Sequence, residues 1–403
     1  MKTFVIPYLS FSLLLIMYQL LLTSGIVTLS ICMILWGIKH KIYRGLKYCY
    51  IHALLDRKIK KSLKNAGYYI EELFFGERVI ILPKIKIGLD STLACGKIEI
   101  ENHIKFDKKL EDVNISSALK KYIVQQQYIS DDANFYIYEF EDATINRQLV
   151  FNEYESFVKY AKSIGDYKLF MDNRTIVPLT HLLLAGSTGS GKTYASYSLI
   201  LTMLCWNVKP TLYFADPKNS SLVVLGNHIS PDTTAGEIND IILLLEQFYS
   251  IMQERKKELG IKLNEKLDAD YRHWKMPANV FIIDEFAGFI SAINSMEKKT
   301  RDSVNLILRD IVLQGRQLGF FLWIMMQKTD ATELPTQIRS NLIWKVVLGN
   351  ATRTTYQTAF EESANLPCRN FAIGHGLYHY QGLTREPQLI SFPTLDFDIL
   401  KSV

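Results

Sequence analysis

One run of eight residues, Gly186-Ser187-Thr188-Gly189-Ser190-Gly191-Lys192-Thr193, matches G-x-x-x-x-G-K-[ST] in full. Glycines at these spacings let backbone N–H groups close around phosphate oxygens, and a helix beginning at the lysine adds its positive end. In such a loop Lys192 reaches the β- and γ-phosphates of ATP, and the Thr193 hydroxyl holds Mg²⁺. A second run, Val280-Phe281-Ile282-Ile283-Asp284-Glu285, puts two carboxylates after four apolar residues. Asp284 is then placed to bind Mg²⁺, and Glu285 to orient and deprotonate an attacking water. The adjacent acid favours a motor ATPase over a switch GTPase.

Such groups need a rigid frame. His181–Ala185, Thr211–Ala215, Val280–Ile283, Phe320–Met326 and Leu342–Leu348 read as strands, with helices between them, notably Ala235–Leu259 and Arg301–Leu318. This alternation predicts an α/β fold with a mainly parallel sheet covered on both faces, the frame of a P-loop NTPase domain over about 165–395. Ahead of it, short strands at Val79–Leu82, Ile85–Ile87, Lys97–Ile100 and Phe135–Tyr138, with a helix over Ile115–Tyr128, predict a small α+β domain at 77–150. That stretch carries no recognisable chemistry.

The motifs extend beyond the two runs. Ala215-Asp216-Pro217-Lys218, Asp284-Glu285-Phe286-Ala287, Gly315-Arg316-Gln317-Leu318-Gly319 and Trp323-Ile324-Met325-Met326-Gln327 occur in that order, with Met252-x-x-Arg255 on the intervening helix. Over about 165–390 the chain resembles the FtsK/SpoIIIE family of RecA-like DNA translocases, which are related to conjugative coupling proteins. The resemblance implies that Gln327 is a polar sensor near the γ-phosphate, although Met326 stands where the family usually has Thr. It also implies a homo-hexameric ring with ATP between subunits, so that a neighbour's arginine completes each site; Arg316, Arg339 and Arg353 are the candidates. DNA is the implied cargo.

The first forty residues differ in kind. Phe4–Ile38 holds 35 residues without a charge, too long for one span of about 20 residues and suited to a tight pair. Thr23-Ser24-Gly25 offers a turn, so residues 1–40 are expected to form a transmembrane hairpin with Lys2 and Lys39 both cytoplasmic. Residues 41–76 follow as a basic juxtamembrane helix. From Lys39 to Lys64 nine Lys/Arg face the single acid Asp56, whereas the chain from Asn65 onward is net −4. The basicity therefore marks a membrane edge, where each Lys/Arg contributes about 1 kcal/mol against anionic headgroups, and not a global nucleic-acid footprint. Five cysteines without C-x-x-C spacing argue against a zinc site or a disulfide framework.

Two spans, a small domain and one ATPase domain resemble the coupling proteins of Gram-positive conjugative plasmids and integrative elements. That implies delivery of DNA with its relaxase to channel proteins at the cell membrane, multi-pass, with the ATPase domain cytoplasmic. The alternatives are an ATPase of a type VII-like protein secretion system, a chromosome or plasmid partitioning translocase, and a scaffold that uses ATP only to assemble.

Overall fold

A computed structural model of the chain describes residues 6–103, 115–329, 334–361 and 370–403. The chain forms two compact units, residues 1–145 and 146–403. Lys2, Phe4 and Cys368, which entered the sequence expectations, lie outside the described residues.

The expected hairpin is instead one helix, α1 (Ile6–Lys39). Thr23, Ser24 and Gly25 lie inside it. The Thr23 hydroxyl donates to the Gln19 carbonyl at 2.9 Å and that of Ser24 to Leu21 at 2.9 Å. These residues can break a helix by competing for backbone partners; here they are satisfied one turn back, and the helix continues. Its stretch Leu15–Lys39 is long and apolar enough to cross a membrane once. A multi-pass topology is not supported. The helix ends where Lys41 turns left-handed (φ 58°), before a short 3₁₀ turn, Ile42–Arg44.

Next, α2 (Leu46–Asn65) buries Leu55, Ile59 and Leu63, one face at i, i+4, i+8. The helix does not run on to Phe75 as its spacing suggests: Gly67, at φ 79°, opens a hairpin of β1 (Ile70–Phe74) and β2 (Glu77–Ile81). Then come β3 (Ile85–Leu89), β4 (Cys95–Glu101), α3 (Ser116–Leu119), β5 (Tyr122–Ile129) and β6 (Phe135–Asp142). The antiparallel sheet runs β3-β4-β6-β5. Ile98, Ile100, Tyr138 and Phe140 from its strands form one core with the buried face of α2. The helix expected over Ile115–Tyr128 survives for only four residues. Lys120 takes φ 60°, and Gln126 and Gln127, which suit a helix locally, pair instead with β6 just after a register shift at Gln125.

The second unit opens with β7 (Val150–Phe151), α4 (Tyr154–Ile164), β8 (Lys168–Phe170) and β9 (Ile176–Pro178). The repeating part then follows: β10 (Leu182–Gly186), α5 (Lys192–Leu204), β11 (Thr211–Ala215), α6 (Ser221–Ile229), β12 (Thr234–Ala235), α7 (Ile238–Lys262), β13 (Asn279–Ile283), α8 (Phe286–Asn294), α9 (Lys298–Leu318) and β14 (Phe320–Met326). After α10 (Thr336–Arg339), β15 (Trp344–Leu348) and α11 (Arg353–Phe360) the chain ends in β16 (His375–Tyr380), β17 (Gln388–Ser391) and β18 (Thr394–Leu395). Among the described residues the main sheet has eight strands, ordered β12-β11-β13-β14-β10-β15-β16-β17. Every pairing from β12 to β15 is parallel, and the last two are antiparallel.

Every residue of β10, β13 and β14 is buried, because helices cover both faces. On α9, Val304, Ile307, Leu308, Ile311, Val312, Gly315 and Leu318 face that core. Trp323 and Trp344, both fully buried, meet edge to face across the sheet. This parallel frame was predicted, and it carries the C-terminal ends of β10, β11, β13 and β14 to a single edge.

Candidate functional site

Register decides what meets at that edge. Ala185 at the end of β10 pairs with Met326 on β14, Ile283 on β13 pairs with Ile324, and Ala215 on β11 pairs with Ile283. The C-terminal end of each strand therefore opens on one crevice: Gly186 with the loop after it, then Asp216, Asp284 and Gln327. A cavity of about 540 Å³ opens there, lined by Gly186 to Gly189, Gly191 to Tyr194, Asp216, Lys218, Ser220, Asp284, Glu285, Gln327 and Ile373. Crevices beyond the carboxyl ends of parallel strands are where such folds bind ligands.

The loop is tightly bounded. Gly191 takes φ 93°, and a Cβ there would lie 2.7 Å from the Gly374 nitrogen. The same Gly374 N–H donates to the Ser190 carbonyl at 2.8 Å, so the segment before β16 forms one wall. Ser187, Thr188 and Gly189 are exposed at the mouth, while Ser190 is buried and its Oγ has no hydrogen-bond partner among the described residues. Lys192 begins α5, which points its N-terminus and its free N–H groups into the cavity.

The charged groups form a linked set. Lys192 Nζ lies 2.7 Å from Asp284 Oδ1. Glu285 Oε1 is 3.0 Å from Lys218 Nζ, and its Oε2 accepts from Gln327 Nε2 at 3.3 Å. Glu285 itself sits at φ 49°, a left-handed conformation that costs a non-glycine residue of order 1 kcal/mol or more and is commonest at functional sites. The structure adds a residue to the sequence reading. The Asp216 carboxylate, fully buried, accepts from the backbone N–H groups of Lys218 and Ser220, each at 2.9 Å, and from the Ser220 hydroxyl. That turn delivers Lys218 to Glu285. The Asp-Pro-Lys motif was visible in the sequence, but nothing in its spacing says that its lysine meets the acid after another strand.

The three arginines lie elsewhere. Among the described residues none of them lines the cavity at the strand ends. Arg316 is exposed near the end of α9, where it borders a cavity of about 790 Å³ with His181, Lys256 and Gln381. Since His181 precedes β10 and Gln381 follows the antiparallel β16, this cavity belongs to the opposite edge of the sheet. His181 is fully buried; its Nδ1 accepts from the Leu322 N–H at 3.0 Å, and burial first, with Arg316 second, pushes its pKa down to about 3. Arg339 is half-buried on α10 with its Nε unpartnered among the described residues, and Arg353 is exposed at the start of α11.

No family model matches the chain. Known proteins do match it. An FtsK domain-containing protein, YdcQ of Bacillus subtilis, is 30% identical over 182 residues, which is 45% of this chain and 37% of that protein. The DNA translocase FtsK of Staphylococcus aureus is 28% identical over 203 residues, 45% of this chain and 24% of the translocase. The chain resembles the FtsK/SpoIIIE family. It spans well under half the length of these curated relatives. Its fold is similar to that of the conjugation coupling protein TcpA of pCW3, solved as a monomer with ATPγS, with TM-score 0.50 and 15% identity over 86% of this chain and 96% of that one.

Proposed function

We propose that this chain is a membrane-anchored P-loop ATPase that moves DNA and acts as a coupling protein in conjugative transfer. One observation carries the enzymatic reading: loop, lysine, paired acids, Lys218 and Gln327 converge at one sheet edge around a nucleotide-sized cavity. The DNA reading rests on the relatives named DNA translocase, and the coupling reading on the TcpA-like fold reaching beyond the ATPase unit. The anchor is α1, crossing once with the basic Lys39, Lys41, Arg44 and Lys47 on the cytoplasmic side of the cell membrane.

The residues present fit ATP with Mg²⁺. The loop from Gly186 to Gly191 presents backbone N–H groups, and Gly191 leaves no room for a side chain. Phosphate oxygens compete with Asp284 for Lys192, releasing the carboxylate of a pair that already spans 2.7 Å. Thr193 and Asp284 would hold Mg²⁺, which supplies neutralising charge to the phosphates. Glu285 takes the proton of the attacking water; Lys218 and Gln327 hold its two oxygens and keep the carboxylate aimed. Gln327, following β14 at the same edge, is placed to report the γ-phosphate to that strand. A neighbouring copy in a hexameric ring supplies a further cation, for which Arg316, Arg339 and Arg353 remain the candidates; such a finger raises turnover by about 10³–10⁵. Relaxase and channel proteins are the further partners.

The test compares ATP turnover by the full chain in nanodiscs with and without DNA, beside Lys192→Ala. DNA of any sequence should raise turnover, and Lys192→Ala should abolish it. Stimulation by a secreted-protein tail but not by DNA would replace the DNA reading with protein secretion.

A further inference from the structure

The β1–β2 hairpin is built to be covered. Phe75 is 96% exposed and Leu73 76%, and Phe74, Val79, Ile80 and Ile81 are also exposed. A lone two-stranded hairpin is marginal in water, so this one needs a surface to lie on. Its turn repeats the point. Phe75 and Gly76 both take positive φ, 50° and 85°, the geometry of a two-residue loop that prefers Asn-Gly. A bulky ring in that first position is strained, so the sequence keeps an aromatic at the tip against local preference.

The hairpin's two faces differ in charge. Strand alternation and the pairs Ile70–Ile81, Glu72–Val79 and Phe74–Glu77 place Phe74, Val79 and Ile81 on one face with two acids and no base. On the other face Glu71 is paired with Arg78 at 3.9 Å. The matching surface lies on α2 of the same unit. Opposite its buried face, Arg57, Lys61 and Lys64 are exposed at i, i+4, i+7, with Tyr50 exposed further along the helix.

We propose that the apolar, acidic face of this hairpin docks on the basic stripe of α2 in a second copy of the chain. Two different patches then meet head to tail, the kind of contact that closes a ring. Acids flanking the apolar face oppose insertion among anionic lipids, whereas Arg57, Lys61 and Lys64 receive them. The inference rests on the ring reading above and supplies it with a contact outside the ATPase unit.

The test uses the full chain in nanodiscs with a photo-crosslinking benzoylphenylalanine installed at position 75. Mixed isotope-labelled and unlabelled copies separate crosslinks between copies from those within one. Crosslinks should map to α2 of another copy. Glu72→Lys with Glu77→Lys, and separately Arg57→Glu with Lys61→Glu, should each lower the yield about tenfold, and the combined variant should recover most of it. Recovery by the double reversal excludes simple misfolding. Crosslinks to lipid, to the same copy or to an unrelated protein overturn the proposal, as does charge reversal without effect. Mass photometry separates the two failures. A wild type that never assembles removes the ring and the docking together, whereas assembly that survives charge reversal removes only the docking.

Discussion

Replacing Glu285 by glutamine tests the chemistry with the least disturbance of shape. Glu285 is held by Lys218 at 3.0 Å and Gln327 at 3.3 Å, and glutamine keeps an oxygen that can still accept from either. The cavity and the Lys192–Asp284 pair are untouched. What disappears is the basicity of one carboxylate. Loss of a general base costs about 10²–10⁴ in rate, or roughly 3–5 kcal/mol on the barrier. Removing a negative charge beside the phosphates does not weaken ATP binding, so the dissociation constant should stay within about threefold or tighten. Single-turnover phosphate release from pre-bound ATP reads the chemical step, and a fluorescent-nucleotide titration reads affinity. Turnover within about threefold of wild type, or a loss confined to nucleotide affinity, would refute the assignment and make Glu285 a structural residue.

Three further outcomes are expected. Gly191→Ala should weaken nucleotide binding at least about tenfold by isothermal titration, because its Cβ meets Gly374 at 2.7 Å and its φ of 93° disfavours any L side chain. The lowered pKa of buried His181 makes the unfolded state bind the extra proton below the ordinary histidine value of about 6.5, so stability is full above that value and falls as pH drops toward 3. Between pH 7.5 and 5 the loss from this residue is about 2 kcal/mol by urea denaturation; His181→Gln, which can still accept from Leu322, should flatten that slope. A single crossing by α1 predicts that a cysteine placed at Lys2 labels with an impermeant thiol reagent in intact cells; protection there would restore a hairpin topology.

The parallel sheet was legible because its central strands β10 and β14 are apolar from end to end and its helices have clear faces. The position of the glycine-rich loop was legible because strand, glycines and lysine are contiguous in sequence. The partner of Glu285 was not. Lys218 reaches it only because β11 and β13 are neighbours in the sheet, which single-strand patterns do not reveal. The wall made by Ile373 and Gly374 carried no signal at all, being brought to Ser190 by the antiparallel turn into β16. At the N-terminus the error had a local cause. Thr23-Ser24-Gly25 has the composition of a turn, but hydroxyls bonded back to Gln19 and Leu21 make it equally a piece of helix. Gln126 and Gln127 went the other way, their helical propensity overridden by a strand partner.

The central claim is that ATP use at this edge moves DNA. Displacement of a triplex-forming oligonucleotide from duplex DNA by the full chain in nanodiscs tests it directly. The displacement should require ATP, disappear in Lys192→Ala and Glu285→Gln, proceed on duplexes of unrelated sequence, and slow steeply with salt as released counterions weaken the grip. Vigorous ATP hydrolysis in the presence of duplex, with the third strand left in place on every sequence tried, would contradict it.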